Sequence, residues 1–304
     1  MTDSRPVRRT IMPEGYGPRP QDHPVTDSVP RAVLFMLLSA ASFAVMGAMV
    51  KAAGPVPVHE KVFFRNLVTL VVTALMALGR RQNPFGPTRH LGLLVARSLA
   101  GLCGVYLYFY ALGHLNLADA SLLNKVSPFF VTLLAAVWLG EKLTRRVAIG
   151  LLVAFAGAAL VLEPVFSYEP LPALAGLGSA LGAGIAYTIV RSLRGRERPW
   201  RIVFYFSLIS TVAMTPPLIL DAVAPVGWQW VWLLGTGLAA AGGQVFLTLA
   251  YHRAPAGQIS IWSYSHVLFS LIIGLVVWGE RPDLLVYVGG ALIVAAALLN
   301  RRAR

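Results

Sequence analysis

Residues 118–143 read ADASLLNKVSPFFVTLLAAVWLGEKL. From Ala118 to Leu139 the stretch is apolar enough to cross a bilayer, which takes about 20 residues of helix. Two residues interrupt it, Lys125 and Pro128. A charge near the bilayer centre costs about 3 kcal/mol or more. Either a polar cavity receives Lys125, or its aliphatic stem lets the ammonium reach towards the surface.

The rest of the chain makes the membrane reading general. Of its 304 residues, 57% are hydrophobic and 13% charged; soluble domains average about 25% charged. Mean hydropathy is +0.67. The net charge of +13 does not indicate nucleic acid, because the basic residues cluster between apolar blocks as they do in cytoplasmic loops. One cysteine, Cys103, lies inside an apolar block, so a disulfide framework or a cysteine-based metal site is not expected. Residues 1–30 are polar and rich in Pro and Arg, with no apolar signal segment. They read as a disordered cytoplasmic tail.

Apolar blocks fall at 31–51, 58–79, 91–113, 118–139, 146–163, 171–192, 201–220, 228–251, 257–278 and 284–300. Each is close to the length of a spanning helix. With the N-terminus inside, twenty of the 26 Lys and Arg residues fall in cytoplasmic segments. Only Lys51, Lys61 and Arg281 fall outside, and Arg65, Arg97 and Lys125 lie within helices. This asymmetry predicts both termini in the cytoplasm and an even number of spans.

The motif WLGEKL at 138–143 has a counterpart, VWGERP, at 277–282. An offset of 139 residues also aligns Ala111 with Ala250, Ser121 with Ser260, Phe130 with Phe269, Gly150 with Gly289 and Leu160 with Leu299. At an offset of 140, Ser39 meets Ser179 and VK at 50–51 meets VR at 190–191. Two copies of five helices each would lie upside down relative to one another, the inverted repeat common in secondary transporters. A duplication can also serve stability alone.

The segment YALGHLNLADASLLNKVSPFFVTLLAAVWLGEKLTRRVAIGLLVAFAGAALVLEP (110–164) resembles the EamA domain of the drug/metabolite transporter superfamily. The features that carry the resemblance are LADA, the proline of SPFF, LGEKL and the glycine-containing helix after it. FFRNL (63–67) and RSLAG (97–101) are similar to the starts of the second and third helices of such domains. APAGQIS…WGERP keeps the frame of the second copy but lacks the proline. The resemblance covers roughly residues 31–300. It implies an all-α protein of ten transmembrane helices in two inverted five-helix repeats (31–164 and 165–304), a central cavity and alternating access. Members export amino acids and other metabolites, and relatives carry nucleotide sugars and phosphorylated sugars. The expected location is a bacterial inner membrane.

Helical periodicity proposes the site. At 100° per residue Ser121, Lys125, Pro128 and Thr132 fall within about 60° of one another, with Asn124 beside them. The ninth helix offers Ser260, Ser263 and Tyr264 at the matching positions. Lys125 lies about eight residues from the outer end, roughly 12 Å deep. That depth, together with Pro128 and the polar stripe, favours an aqueous cavity. Pro128 frees the carbonyl of Asn124, for a ligand or merely as a packing kink. Arg97 shares a face with Gly101, Gly104 and Tyr108, and Arg65 one with Asn66, Thr69 and Thr73; structural and functional roles are both open for the two arginines. Trp262 and His266 lie away from the Ser260 stripe, where packing or a hydrogen bond is the simpler role. The expected substrate contacts are thus Lys125, Asn124, Ser121, Arg97, Arg65, Tyr108, Tyr264 and Ser260, with Pro128 as a kink.

No carboxylate is expected at mid-membrane, so no proton or Na⁺ site is apparent. Glu141 and Glu280 read as capping or pairing residues in their loops. The six histidines are scattered and no acid joins them, which disfavours a membrane-embedded enzyme. A filter-like loop, which a channel would need, and a Walker-type phosphate loop are absent. No catalytic residue, metal or cofactor is expected. The expected partners are a small polar solute, anionic or amino-acid-like, and the lipid bilayer. The oligomeric state is open.

Overall fold

A computed structural model describes residues 28–114, 120, 123–141, 143–161, 170–279 and 284–301. The tail reading at the N-terminus, Ser121, Lys142, Glu280 and Arg281 therefore lie outside the described residues, which contain no strand. The helices are α1 (Val29–Ala52), α2 (Val58–Gly79), α3 (Leu91–His114), α4 (Ser127–Leu139), α5 (Arg145–Val161), α6 (Pro170–Ser192), α7 (Pro199–Leu220), α8 (Gln229–Arg253), α9 and α10 (Leu284–Arg301). Helix α9 is composite: Ala256–Ile259, a 3-10 segment Ser260–Tyr264, and Ser265–Trp278.

Seven of these are long and apolar enough to cross a membrane: α1, α2, α3, α6, α7, α8 and α9. The sequence led to an expectation of ten. Over the described residues α4, α5 and α10 have 13, 17 and 18 residues and fall short of that standard. The case of α4 has a local cause. Leu123 and Asn124 are helical, Lys125 and Val126 form a turn, and regular helix resumes only at Ser127. Thirteen residues of helix rise only about 20 Å. Pro128 sits in the first turn of α4, where a missing N–H costs no intrahelical bond.

The two copies are visible in the packing. Helix α1 packs on α8 as α6 packs on α3; α4 meets α6 as α9 meets α1; α2 meets α8 as α7 meets α3. Helices α2 and α7 pack on each other, and so do α5 and α10. Each of these pairings maps onto another, or onto itself, when the two five-helix sets are exchanged. The caps repeat as well. Gly140 ends α4 and Gly279 ends α9, both with φ 65°. That left-handed conformation favours glycine and explains the glycine of the motif shared by the two halves.

Lipid gives helices little hydrophobic reason to associate, so close backbone approach and interhelical hydrogen bonds must hold them. At the α3–α6 crossing a Cβ on Gly182 would stand 2.9 Å from the Ala100 carbonyl oxygen and 3.0 Å from the Gly104 nitrogen. At α1–α8, Ser39 Oγ donates to the Gly243 carbonyl at 2.8 Å. Outward-facing Leu75, Leu152, Leu171 and Val276 are each more than 60% exposed, as expected of side chains meeting acyl chains.

The bundle has two distinct ends. One gathers the starts of α1, α3, α7 and α9 with the ends of α2, α4, α6 and α8. Here the Ser28 N–H donates to the Arg253 carbonyl and Thr88 to Glu197. Among the described residues this end holds nearly all the loop arginines, from Arg31 and Arg80 to Arg194 and Arg253. The opposite end holds Lys51 and Lys61, and there the Val223 N–H donates to Glu60.

Candidate functional site

A cavity of about 80 Å³ lies between the two helix sets. That is room for roughly three waters. The first set lines it with Phe43, Arg65, Arg97, Gly101, Gly104, Tyr108, Asn124 and Lys125; the second contributes Tyr187, Phe206, Gln244 and His266. Of the eight contacts expected from sequence, Lys125, Asn124, Arg97, Arg65 and Tyr108 share this cavity.

Ser260 and Tyr264 do not line it. Ser260 is fully buried and shares a hydrogen bond with Thr132 at 3.1 Å. Tyr264 packs against Val147, Leu151 and Ala296 in a separate cluster of α5, α9 and α10. For Tyr264 the cause is the 3-10 winding of Ser260–Tyr264. At 3.0 rather than 3.6 residues per turn, each residue turns about 20° further than an α-helical projection assumes.

Arg65 and Arg97 dominate the electrostatics. Each is 1% exposed. Arg97 lies with its guanidinium carbon 3.9 Å from the centroid of Phe206, and Arg65 approaches the same ring at 5.4 Å. A cation over an aromatic face gains about 1–2 kcal/mol when desolvated. Gly101 makes room for this stack, because a Cβ there would meet Phe206 at 2.9 Å and Arg97 Nη1 at 3.3 Å. Arg97 Nη2 donates to Gln244 Oε1 at 2.7 Å. Arg65 Nη1 donates to Asn66 Oδ1 at 2.8 Å, and Asn66 is held in turn by its Nδ2–Val62 carbonyl bond, also 2.8 Å. Three buried donors remain without a partner: Arg65 Nε, Arg97 Nε and Arg97 Nη1. No acidic residue lines the cavity. Guanidinium keeps its charge in proteins, and a buried charge is costly unless paired and hydrogen-bonded.

On the other sides Asn124 Nδ2 donates to Ser179 Oγ at 3.0 Å, tying the turn before α4 to α6. Towards the arginine-rich end the cavity is backed by a buried core containing Met36, Leu94, Val131, Val190, Leu247 and Tyr251. Beyond that core lies a polar junction. Glu141, just past the end of α4, accepts from Arg191 Nε at 2.6 Å and from the Ala256 N–H at 2.9 Å. Arg191 Nη1 also reaches the Tyr251 carbonyl at 3.2 Å. Glu141 thus pairs and caps across the two helix sets rather than within its own loop. A second cavity, about 270 Å³, adjoins this junction and touches Thr132, Glu141, Val147 and Pro255. Although larger, it offers one carboxylate already bound to two donors, whereas the central cavity offers free donors.

Sequence reasoning missed Gln244, Phe206, Tyr187 and the position of His266. Gln244 alone left a signal, as a lone amide in the apolar run LAAAGGQVFLTLA. The other three look like ordinary packing residues in one dimension. Among the described residues no group of three His, Cys, Asp or Glu side chains could hold a metal ion.

The EamA-like transporter family matches the chain twice, over residues 30–163 and 171–302. The pseudopaline exporter CntI of Pseudomonas aeruginosa is 37% identical over 290 residues, covering 92% of this chain and 99% of that one. A riboflavin transporter of Brucella anthropi is 30% identical over 247 residues, covering 79% and 86%. Human solute carrier family 35 member G1 is 26% identical, covering 87% and 77%. A solved crystal structure superposes with a TM-score of 0.80 at 21% identity, over 90% of this chain and 99% of that one. That last likeness is one of fold.

Proposed function

The chain belongs to the EamA-like transporter family, and we propose that this multi-pass membrane protein moves a small anionic or amino-acid-like metabolite by alternating access through the central cavity. The observation that carries the substrate reading is the cavity wall: Arg65, Arg97 and Lys125 with no acid among the lining residues. Lys125, Arg65 and Arg97 supply attraction, and Asn124 and Tyr108 supply polar contacts. Export, or exchange, is the direction supported by the 37% identical relative, itself an exporter.

In this reading all ten helices cross a bacterial inner membrane, as inverted five-helix repeats. The interchange of helix pairings supports that relation. The arginine-rich end and both termini face the cytoplasm, in keeping with the positive-inside rule. Transport runs on solute gradients, because no lining carboxylate offers a proton or Na⁺ site. The protein moves its substrate unchanged; no catalytic constellation is part of this reading. The test is uptake and efflux of a metabolite panel by proteoliposomes holding the purified chain. Saturable movement of at least one polar solute is expected, and none across the panel would overturn the proposal.

A further inference from the structure

Resting on that transport reading, we infer that the cavity recognises a solute with at least two acidic groups, one of them held as an oxyanion between Arg65 and Arg97. Three features converge. The first is geometric. Both guanidiniums approach one aromatic ring, that of Phe206, and they are near enough to interact electrostatically. Arg97 is steadied by Gln244 and Arg65 by Asn66, in each case through a single Nη. Arg97 Nε and Nη1 and the Nε of Arg65 are buried and unpartnered. Charged N–H donors left without an acceptor suit the oxygens of a carboxylate or phosphate.

The second feature is the charge count. Lys125 lines the same cavity, which makes three cations and no acid. A neutral zwitterion with one carboxylate would leave two or three of them unmatched and would bring an ammonium among them. Like charges close together in a poorly screened site repel strongly. One lining acceptor, Gln244 Oε1, already receives Arg97. A solute with two or more acidic groups satisfies the guanidinium pair and Lys125 together.

The third feature is that the charge is asymmetric although the fold is duplicated. At offsets of 139–140 the counterparts of Arg65, Arg97 and Lys125 are Phe204 or Tyr205, Thr236 or Gly237, and Tyr264 or Ser265. None is charged. Structural duplication therefore does not require these cations. They belong to one wall, and the facing wall of Tyr187, Phe206, Gln244 and His266 holds no Lys or Arg. A solute is thereby oriented, with its acidic groups towards the first repeat.

The test is a charge series on the native, full-length chain in nanodiscs at low salt, with binding measured by calorimetry or thermal shift. The probes are asparagine, aspartate, γ-carboxyglutamate and O-phosphoserine. Aspartate is expected to bind at least about tenfold tighter than asparagine, the strength of one charge-assisted contact in a buried site. γ-Carboxyglutamate is expected to bind tighter again. Phosphoserine separates the oxyanion sources: tighter binding than aspartate assigns phosphate to the clamp, weaker binding assigns carboxylate. In Arg97→Gln the aspartate-over-asparagine preference collapses at least fivefold, and Arg97→Lys recovers part of it. If the acidic probes bind no tighter than asparagine, or none binds at millimolar concentration, the inference fails. It also fails if Arg97→Gln weakens asparagine and aspartate equally. A neutral or cationic solute transported from the panel would overturn this inference while leaving the transporter reading intact. A chain that binds acids but moves nothing would do the reverse.

Discussion

Removing the carboxylate of Glu141 should loosen the arginine-rich end of the bundle by a predictable amount. Glu141 belongs to the first repeat, and its partners Arg191, Ala256 and, through Arg191, Tyr251 belong to the second. Glu141→Ala deletes two charge-assisted hydrogen bonds, of 2.6 and 2.9 Å, each worth about 1.5–3 kcal/mol. The two side chains are 9% and 18% exposed, so water partly replaces what is lost and about two thirds of the summed range applies. The expected cost is about 2–4 kcal/mol, with Glu141→Gln at about half of that because one acceptor oxygen survives. In a chain of this size 1 kcal/mol moves a melting midpoint by on the order of 2 °C. Purified Glu141→Ala should therefore melt about 4–8 °C below the native protein in the same detergent. A cycle with Arg191→Ala isolates the pair and should return a coupling of about 1–2 kcal/mol. Midpoints within 1 °C of native, or strictly additive single and double variants, would refute the view that this junction ties the repeats together.

Four shorter predictions follow from the same geometry. Gly182→Val should cost folded yield or transport, because the new side chain meets the α3 backbone within 3 Å; Gly47→Ala, with nothing inside 4 Å of its Cβ, is the matched control and should be silent. Lys125→Met keeps length and removes charge, so it should insert normally and weaken substrate affinity about tenfold; unchanged affinity and rate would make Lys125 a snorkelling residue. Reporter fusions should report both termini and the 80–90 loop in the cytoplasm and residues 164–170 outside, and an external C-terminus would sink the ten-span topology. An imposed proton gradient alone should not drive accumulation in proteoliposomes, and robust accumulation would reveal a coupling site outside the lining described above.

Membrane character, duplication and family were all legible in one dimension. Bilayer thickness sets the length of an apolar run, and a gapless offset survives divergence in sequence. Helical periodicity also identified Arg65, Arg97, Asn124 and Lys125, because a charge or amide inside an apolar span stands out wherever the span is later packed. The partners of those residues were not legible. Gln244 meets Arg97 across 147 positions and Phe206 lies under both arginines, and such meetings exist only once α3, α7 and α8 have docked. Ser260 and Tyr264 show the converse failure. The duplicated sequence assigned them to the face of Ser121 and Lys125, but the 3-10 segment accumulates a phase error of roughly 80° over its length. That rotation delivers Tyr264 to the α5–α10 core, whereas Ser260, at the start of the segment, is held by its hydrogen bond to Thr132. Sequence alone therefore determined which residues are costly to bury. Tertiary packing decided which of them share a cavity, because that depends on helix crossings and local winding that a projection at 100° per residue does not contain.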